Sequence, residues 1–213
     1  MTTKTDGVKA GLPKREGRDT REEIVRAAGR LMHVNGYHAT SLDDVLRESG
    51  VGKGNFYYYF KSKEDLGYAI LDRLVEALIE RTLEPCFSDA EAAPLGQIRC
   101  FLGRVLEAQR ERNCVGGCFL GNLAAELSDV HEGFRTRLAE VFSAWRRRLT
   151  AALVEAQRRG DVVASCQPAQ VAQFLVAALE GAILMSKVNK DISVMEQCVD
   201  ELGRYLTLYE RAR

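Results

Sequence analysis

The 213-residue sequence lacks the features that define several large classes of protein. No run of about 18 apolar residues is evident, so no membrane-spanning segment is expected. The first residues, MTTKTDGVKAGLPKREGRD, contain no apolar stretch of the kind that a secretory signal requires, and a cytoplasmic location is therefore expected. In that compartment the six cysteines are expected to remain reduced thiols rather than to form disulfides.

Signatures of catalysis and of metal binding are also missing. We find no Ser/His/Asp arrangement and no paired carboxylates beyond those of ordinary solvated helix faces. The three histidines, His33, His38 and His131, stand at no ligand-like spacing from a pair of cysteines. The sequence therefore predicts a protein that is not an enzyme and that holds no metal ion and no cofactor.

The formal net charge is zero, but the charges are unevenly distributed. Residues 1–63 contain twelve Lys or Arg against eight Asp or Glu, which gives this part a net charge of +4 and the remainder −4. The asymmetry is a modest indication of an anion-binding N-terminal module on a neutral to acidic body, although solvated charged faces produce the same pattern.

Helical periodicity dominates the features that are present. Helices are predicted at residues 21–35, 42–49 and 53–59, followed by a longer one from 63 to about 81. Further helical segments are predicted at residues 95–110, 118–127, 130–158, 168–188 and 192–209. No strand pattern competes with them. We predict an all-α fold with a flexible basic arm (1–18), a small N-terminal domain with a connecting helix (19–81) and a larger helical domain (82–213).

The stretch GVGKGNFYYYFKSK, residues 50–63, has two interpretations. A phosphate-binding nucleotide loop needs a preceding buried strand and a Ser or Thr after the lysine. Here a helical segment precedes the glycines and Gly54 follows Lys53, so this interpretation fails. Two short helices joined by a tight glycine-containing turn instead predict a helix-turn-helix, whose second helix enters the major groove of DNA.

The side chains of the second short helix fit that role. Phe56 and Phe60, four residues apart, are predicted to pack inward. Phenols beside lysines suit phosphate oxygens, the small Gly54 permits close approach to DNA, and Asn55 has the donor and acceptor that read an adenine edge. The alternative is that the tyrosines form a packed aromatic cluster. The side chains predicted to lie on the outer face are Lys53, Asn55, Tyr57, Tyr58 and Tyr59.

These residues belong to a longer pattern that resembles the DNA-binding domain of the TetR family of bacterial transcriptional repressors. The resemblance covers residues 20–71. Two positions depart from the family pattern: Gly52 stands where a serine or threonine often caps the recognition helix, and Tyr59 replaces a frequent histidine. The matching features, in chain order, are Gly36-Tyr37, Thr40-Ser41, Gly50-Val51, Lys53-Gly54, Tyr57, Phe60 and Lys63-Glu64.

Carried over by position, the resemblance implies that Lys53, Gly54 and Asn55 face the bases. Lys14, Arg15 and Arg18 either add phosphate or minor-groove contacts or form a solvated tail. The residues implied to hold phosphates are Thr40 or Ser41, Tyr57, Tyr58 and Lys63, with Tyr59 on the same outer face.

The resemblance further implies that residues 82–213 form an effector-binding and dimerisation domain. Two recognition helices of a homodimer would dock on a near-palindromic double-stranded operator, and a small-molecule effector would release the repressor. The subunit interface would be a four-helix bundle built from residues of about 170–188 and 192–209 of each chain.

The effector site is predicted less directly. Cys118, Asn122 and Glu126 are spaced four residues apart on an otherwise apolar helix, so they either satisfy partners in the core or line a pocket. The apolar wall of such a pocket would come from residues that serve equally well as core: Phe101, Val105, Phe142, Trp145, Phe174 and Met185.

Two alternative functions stay open. The glycines between Cys114 and Cys118 would leave the thiols accessible, and a helix N-terminus at Cys118 would favour a thiolate, as in a sensor of electrophiles or oxidants. Buried cysteines are nevertheless common as small apolar residues. The other alternative is a DNA-binding regulator without any effector, which a fully packed second domain would favour.

Overall fold

The computed structural model describes residues 17–211, and their backbone is helical apart from short connections. Within this range the β interactions consist of one isolated bridge, between Val162 and Glu210. The all-α fold expected from the sequence is confirmed. The elements are α1 (Gly17–Asn35), α2 (Leu42–Ser49), α3 (Lys53–Tyr59), α4 (Lys63–Leu78), a π-helical segment (Ile79–Leu83), α5 (Glu84–Phe87), α6 (Pro94–Glu111), α7 (Phe119–Leu127), α8 (Glu132–Arg159), α9 (Pro168–Asn189) and α10 (Ile192–Thr207).

Local signals fix the turn between α2 and α3. The Ser41 hydroxyl accepts a hydrogen bond from the Asp44 amide, and the Asp44 carboxylate accepts one from the Ser41 amide; together they form a capping box, which the sequence Ser41-Leu42-Asp43-Asp44 favours. Gly50 ends α2 with φ at 66°, a left-handed conformation that glycine adopts without steric cost. Phe56 of α3 and Phe60, which follows the helix, are buried in the core, as predicted.

Two helix boundaries differ from the predicted ones. The first helix begins at Gly17 rather than near residue 21, so the end of the predicted arm is helical; Lys14 and Arg15 lie outside the described residues. The predicted break at residues 82–94 is also shorter, because helical backbone continues to Phe87. Pro85 lies in the first turn of α5 but continues the helical backbone of the preceding segment, so its missing N–H removes a donor to the carbonyl oxygen of Arg81, which accepts a hydrogen bond from Arg104 instead.

The long C-terminal helices pack against one another, with α9 in contact with both α8 and α10 and α6 in contact with the same two helices. Contrary to our expectation, α9 is long and apolar enough to cross a membrane by length and composition, with a mean hydropathy of 1.6 over 18 residues. The core helix of a soluble protein passes the same test, and 44% of this window is buried inside the protomer. The described residues contain no second helix of this kind.

The expectation that all six cysteines are reduced is wrong at one pair. Cys86 of α5 and Cys100 of α6 form a disulfide that joins these adjacent helices, 14 residues apart in sequence. Contact between helices sets this pairing, and the spacing of cysteines in the sequence gives no sign of it. The free cysteines are Cys114, Cys118, Cys166 and Cys198.

Candidate nucleic-acid interface and internal cavity

Helix α3 presents a short polar face on the surface of the N-terminal part. Lys53, Gly54 and Asn55 in its first turn are exposed. Gly52, which precedes the helix, provides no side-chain cap, so the amides of this turn have no side-chain acceptor at that position. Buried Phe56 and Phe60 fasten the opposite face to the core.

The phenols of α3 are mostly outside the protein. Tyr57 is 50% exposed and Tyr58 is 80% exposed, whereas Tyr59 is partly buried against the core. The rings of Tyr58 and Tyr59 meet edge to face at 4.8 Å, and that of Tyr57 meets Phe56 at 5.4 Å. A wholly buried aromatic cluster is thereby excluded, because two of the three hydroxyl-bearing rings face solvent.

Of the two residues that precede α2, only Ser41 has an exposed side chain. Thr40 is 1% exposed, and its hydroxyl donates to the carbonyl oxygen of Gly36 at 2.8 Å. The turn after α1 uses the Thr40 hydroxyl internally, so of the pair Thr40 or Ser41 it is Ser41 whose exposed hydroxyl can contact a phosphate. Sequence alone does not separate neighbouring residues of this kind, since the burial of Thr40 depends on how α1 packs on α2.

Lys63 lies at the first turn of α4, partly buried. Its Nζ atom is 4.5 Å from the centre of the Tyr37 ring and 3.5 Å from the carbonyl oxygen of His38. Burial lowers the pKa of the Lys63 ammonium, and the nearby Glu126 carboxylate acts in the opposite direction. These contacts hold the charge at the edge of the surface that carries α3.

A cavity of about 970 Å³ that opens to solvent is lined by residues from both the N-terminal part and the body of the chain. Its walls come from α4 and the π-helical segment on one side and from α6, the start of α7 and α8 on the other. Three of the residues that the sequence analysis suggested line it: Val105, Cys118 and Trp145.

Four other suggested residues lie elsewhere. Phe101 is buried behind the cavity wall, with its ring 6.0 Å from that of Trp145. Phe174 is 47% exposed on α9 and packs on Tyr205, so its aromatic character marks a different surface. Asn122 donates to the carbonyl oxygen of Gly116 at 2.7 Å and Glu126 binds backbone amides, because this face of α7 points at the N-terminal part and its connecting loop. Of the two further wall candidates, neither Phe142 nor Met185 is a lining residue.

Glu126 connects α7 to the turn after α1. Its carboxylate accepts hydrogen bonds from the backbone amides of Tyr37 at 3.0 Å and His38 at 2.9 Å. These bonds are charge-assisted, and they bridge 89 and 88 residues of sequence. Sequence reasoning left open whether Glu126 satisfies partners within the protein or lines a pocket, and these hydrogen bonds favour the first alternative.

His33 provides a second connection, at the other end of α7. Its Nε2 atom is 3.0 Å from the carbonyl oxygen of Gly117, and its ring stacks on Phe119 with centroids 4.9 Å apart. A Cβ atom on Gly116, whose φ is 79°, would come within 2.6 Å of this ring. Burial lowers the pKa of His33, so the neutral imidazole is the favoured form. His33 also lines the cavity.

The environment of the thiols opposes the accessible-thiolate hypothesis. Cys114 is buried. Cys118 caps α7 and accepts a hydrogen bond from the Gly121 amide, yet burial and the neighbouring Glu180 carboxylate raise the pKa of its thiol. The favourable end of the helix dipole is thus outweighed by desolvation and by a like charge, which keeps Cys118 protonated at neutral pH.

Known proteins share this combination of helix-turn-helix and helical body. Residues 24–70 match the family model described as bacterial regulatory proteins, tetR family, and residues 94–202 match that of the tetracyclin repressor-like C-terminal domain. An uncharacterized HTH-type transcriptional regulator in the lacX 3' region of Lactococcus lactis is 34% identical, over 87% of this chain and 92% of its own. Transcriptional regulator AcuR of Cereibacter sphaeroides is 30% identical, over 86% and 84% respectively.

The fold of this chain matches that of a solved structure over nearly the whole length of both chains. The TetR transcriptional regulator from Chloroflexus aurantiacus superposes with a TM-score of 0.85 at 27% identity, and the match covers 92% of this chain and 98% of that one. The chain therefore belongs to the TetR family. It is a DNA-binding helix-turn-helix transcriptional regulator, and the relatives are regulators rather than enzymes.

Proposed function

We propose that the protein is a cytoplasmic, homodimeric repressor that leaves its operator when a small molecule occupies the 970 Å³ cavity. In this proposal residues 19–81 bind DNA and residues 82–213 bind the effector and the second subunit. A regulator without an effector would have a packed second domain, so the cavity supports the sensor over that alternative.

The exposed face of α3 supports the assignment of DNA contacts. Lys53, Gly54 and Asn55 would face the base edges in the major groove, with Asn55 suited to adenine. The phosphate contacts would come from groups around them, whose hydroxyls and charge are accessible or lie at the edge of this face. These groups are Ser41, Tyr57, Tyr58 and Lys63, with Tyr59 contributing mainly by packing against Tyr58.

An exposed apolar stripe on α9 supports the homodimer. Phe174, Leu184 and Val188 are large apolar residues with 47%, 56% and 68% exposure, and they lie on one side of the helix at spacings of ten and four. Such a stripe is costly in water and fits a second copy of itself across a twofold axis. Two recognition helices related in this way would read a near-palindromic site.

The cavity wall is the observation that carries effector control. It is shared between α4 with the π-helical segment, which continue from the DNA-binding part, and α6 with the start of α7, which belong to the body. An effector that fits only one spacing of these walls would shift the population toward that spacing. The two α3 helices would then no longer match successive major grooves.

The test begins with an operator selected from random duplexes by the purified protein. Small apolar molecules that raise the melting temperature are then added to the protein–operator complex at fixed salt, and fluorescence anisotropy reports release. We expect a stabilising molecule to lower operator affinity. Stabilising ligands that leave operator affinity unchanged, or a protein that is monomeric at micromolar concentration, would refute the proposal.

A further inference from the structure

Two buried polar atoms in the cavity wall have no hydrogen-bond partner among the described residues. One is Oε1 of Gln109 on α6, an acceptor, and the other is Nε1 of Trp145 on α8, a donor. Both side chains line the cavity, and they are only 2% and 3% exposed. The wall thus presents one unused acceptor and one unused donor.

Unpaired buried polar atoms are rare in proteins because each one loses its hydrogen bonds to water without a replacement. An apolar residue of similar shape at either position would avoid that loss. Both side chains line a space large enough for a ligand, and an occupant that displaces the atoms now covering Gln109 Oε1 and Trp145 Nε1 would supply the missing partners. We read the pair as recognition groups of the cavity.

The distribution of charge in the wall restricts the occupant further. The six charged side chains that line the cavity all keep part of their surface in solvent, and three are positive and three negative; burial is nevertheless sufficient to lower the pKa of the Arg112 guanidinium. Among the described residues, none of the buried lining side chains is charged. His33, which is partly buried in the wall, is held in its neutral form because burial lowers its pKa. The six charged residues are Glu80, Arg81, Arg104, Glu107, Glu111 and Arg112.

We propose that the cavity binds an uncharged, mainly apolar molecule that donates a hydrogen bond to Gln109 Oε1 and accepts one from Trp145 Nε1. A charged molecule would lose its hydration without meeting a fully ionised partner in the buried wall, since burial raises the pKa of the Glu180 carboxyl beside Cys118; this loss is unfavourable. The apolar frame would pack on Leu74, Leu78, Val105, Phe119, Leu120 and Ile183. This inference rests on the cavity being the effector site of the proposed function.

Three probes of nearly equal shape separate these contributions. 2-Naphthamide carries a donor and an acceptor, 2-acetonaphthone carries an acceptor alone, and 2-naphthoate carries a negative charge. By calorimetry we expect the amide to bind roughly tenfold more tightly than the ketone, since the extra hydrogen bond meets a buried partner. The naphthoate is expected to bind more weakly than the ketone.

The single tryptophan of the chain supplies a direct reporter of the site. Its indole N–H gives one signal in a ¹⁵N–¹H correlation spectrum, and both the amide and the ketone should move that signal downfield. Gln109→Met should lower amide affinity to that of the ketone and leave the ketone unaffected. Trp145→Phe should weaken both roughly tenfold. Each substitution removes an unpaired polar atom, so we expect the unfolding free energy of both variants to stay close to that of wild type, apart from the effect of the changed side-chain shape.

These measurements test the ligand chemistry of the cavity separately from its role as the effector site. The predicted order of affinities with a shifted indole signal supports the ligand chemistry, even if the bound probe does not release the operator; in that case only the effector role fails. The ligand chemistry is overturned if the naphthoate binds as tightly as the amide, if the probes bind without moving the indole signal, or if none of them binds.

Discussion

At the residue scale, the His33 imidazole shows how burial gives one side chain a pH-dependent effect on stability. The ring is partly buried between Gly117 and Phe119, and desolvation lowers its pKa below the usual 6.5. The positive charges of Arg112 and Lys187 act in the same direction, and the hydrogen bond to Gly117 opposes them. The folded protein therefore binds a proton at this site less readily than the unfolded chain does.

The first prediction concerns the pH dependence of folding. The contribution of His33 is fully present above pH 6.5 and is lost as the pH falls from there through the lowered pKa, because the unfolded state takes up the proton first. His33→Gln should remove this component from the difference in unfolding free energy between pH 7.5 and pH 5.5, measured with urea. His38→Gln, at an exposed histidine, is the matched control. Equal pH dependence in His33→Gln and wild type would contradict the assignment.

At the element scale, α7 links the N-terminal part to the body through both of its ends. Its first turn lies beside His33, and Glu126 near its last turn binds the Tyr37 and His38 amides. Because the same helix begins at the cavity wall, a displacement of its first turn by a ligand would be transmitted to both attachments. The helix is thus a physical connection between the cavity and the helix-turn-helix.

The second prediction tests that connection. Glu126→Ala should lower the unfolding free energy by about 1.5–3 kcal/mol, because two amides lose a charged acceptor. The amides of Tyr37 and His38 should also exchange with solvent faster in hydrogen-exchange experiments. Glu140→Ala, at an exposed glutamate of α8, is the control. Unchanged protection of the two amides in Glu126→Ala would show that the contact does not hold the elements together.

The third prediction concerns the disulfide between α5 and α6. A disulfide that closes a loop of about 15 residues restricts the unfolded chain, and this stabilises the folded protein by roughly 3 kcal/mol. Cys100→Ser should therefore lower the unfolding free energy by about that amount in oxidised protein. Cys198→Ser, at a similarly half-buried free cysteine, should have a smaller effect. If wild type under oxidising conditions still titrates six reactive thiols after denaturation, the disulfide is absent in solution.

Elements with local signals were predictable from sequence, and features that depend on distant contacts were not. The capping box of Ser41 and Asp44, the turn at Gly50 and the inward Phe56 and Phe60 all follow from residues within one or two helical turns. The partner of Glu126 lies almost 90 residues away, so its spacing predicted a face of the helix but no contact.

For Phe174, helical periodicity does not distinguish an apolar face that packs inside the protomer from one that packs on a second subunit. The cavity was likewise beyond the sequence, because its shape depends on how α4, α6 and α8 pack together. Of the nine suggested effector residues, the three that line it, Val105, Cys118 and Trp145, come from three different parts of the chain.

At the scale of the whole molecule, the proposed dimerisation would determine how the two recognition helices are spaced. The exposed stripe of α9 is centred near Leu184, which is 56% exposed in the protomer. Buried in a dimer, this position would lie in an apolar interface, where an unpaired charge is strongly unfavourable. The dimer would also explain the apolar composition of α9, because one side of the helix packs inside the protomer and the other would pack on the second subunit.

The fourth prediction follows from that arrangement. Leu184→Asp should raise the dimer dissociation constant by about 100-fold or more, measured by analytical ultracentrifugation, since each subunit would bury an unpaired carboxylate. Val130→Asp, at an exposed valine in the turn before α8, is the control and should remain dimeric. A Leu184→Asp protein that dimerises like wild type would place the subunit interface elsewhere.

In the proposed complex α3 presents its phenols to duplex DNA, and Tyr57→Ala removes one of these phenols from each subunit. Operator affinity is measured by fluorescence anisotropy at one fixed salt concentration, with helical content and dimerisation checked in parallel. We predict a loss on the order of 100-fold in a protein that stays folded and dimeric, because each subunit gives up a hydrogen bond to a charged phosphate worth about 1.5 kcal/mol. Unchanged operator affinity in the folded dimer would contradict the account.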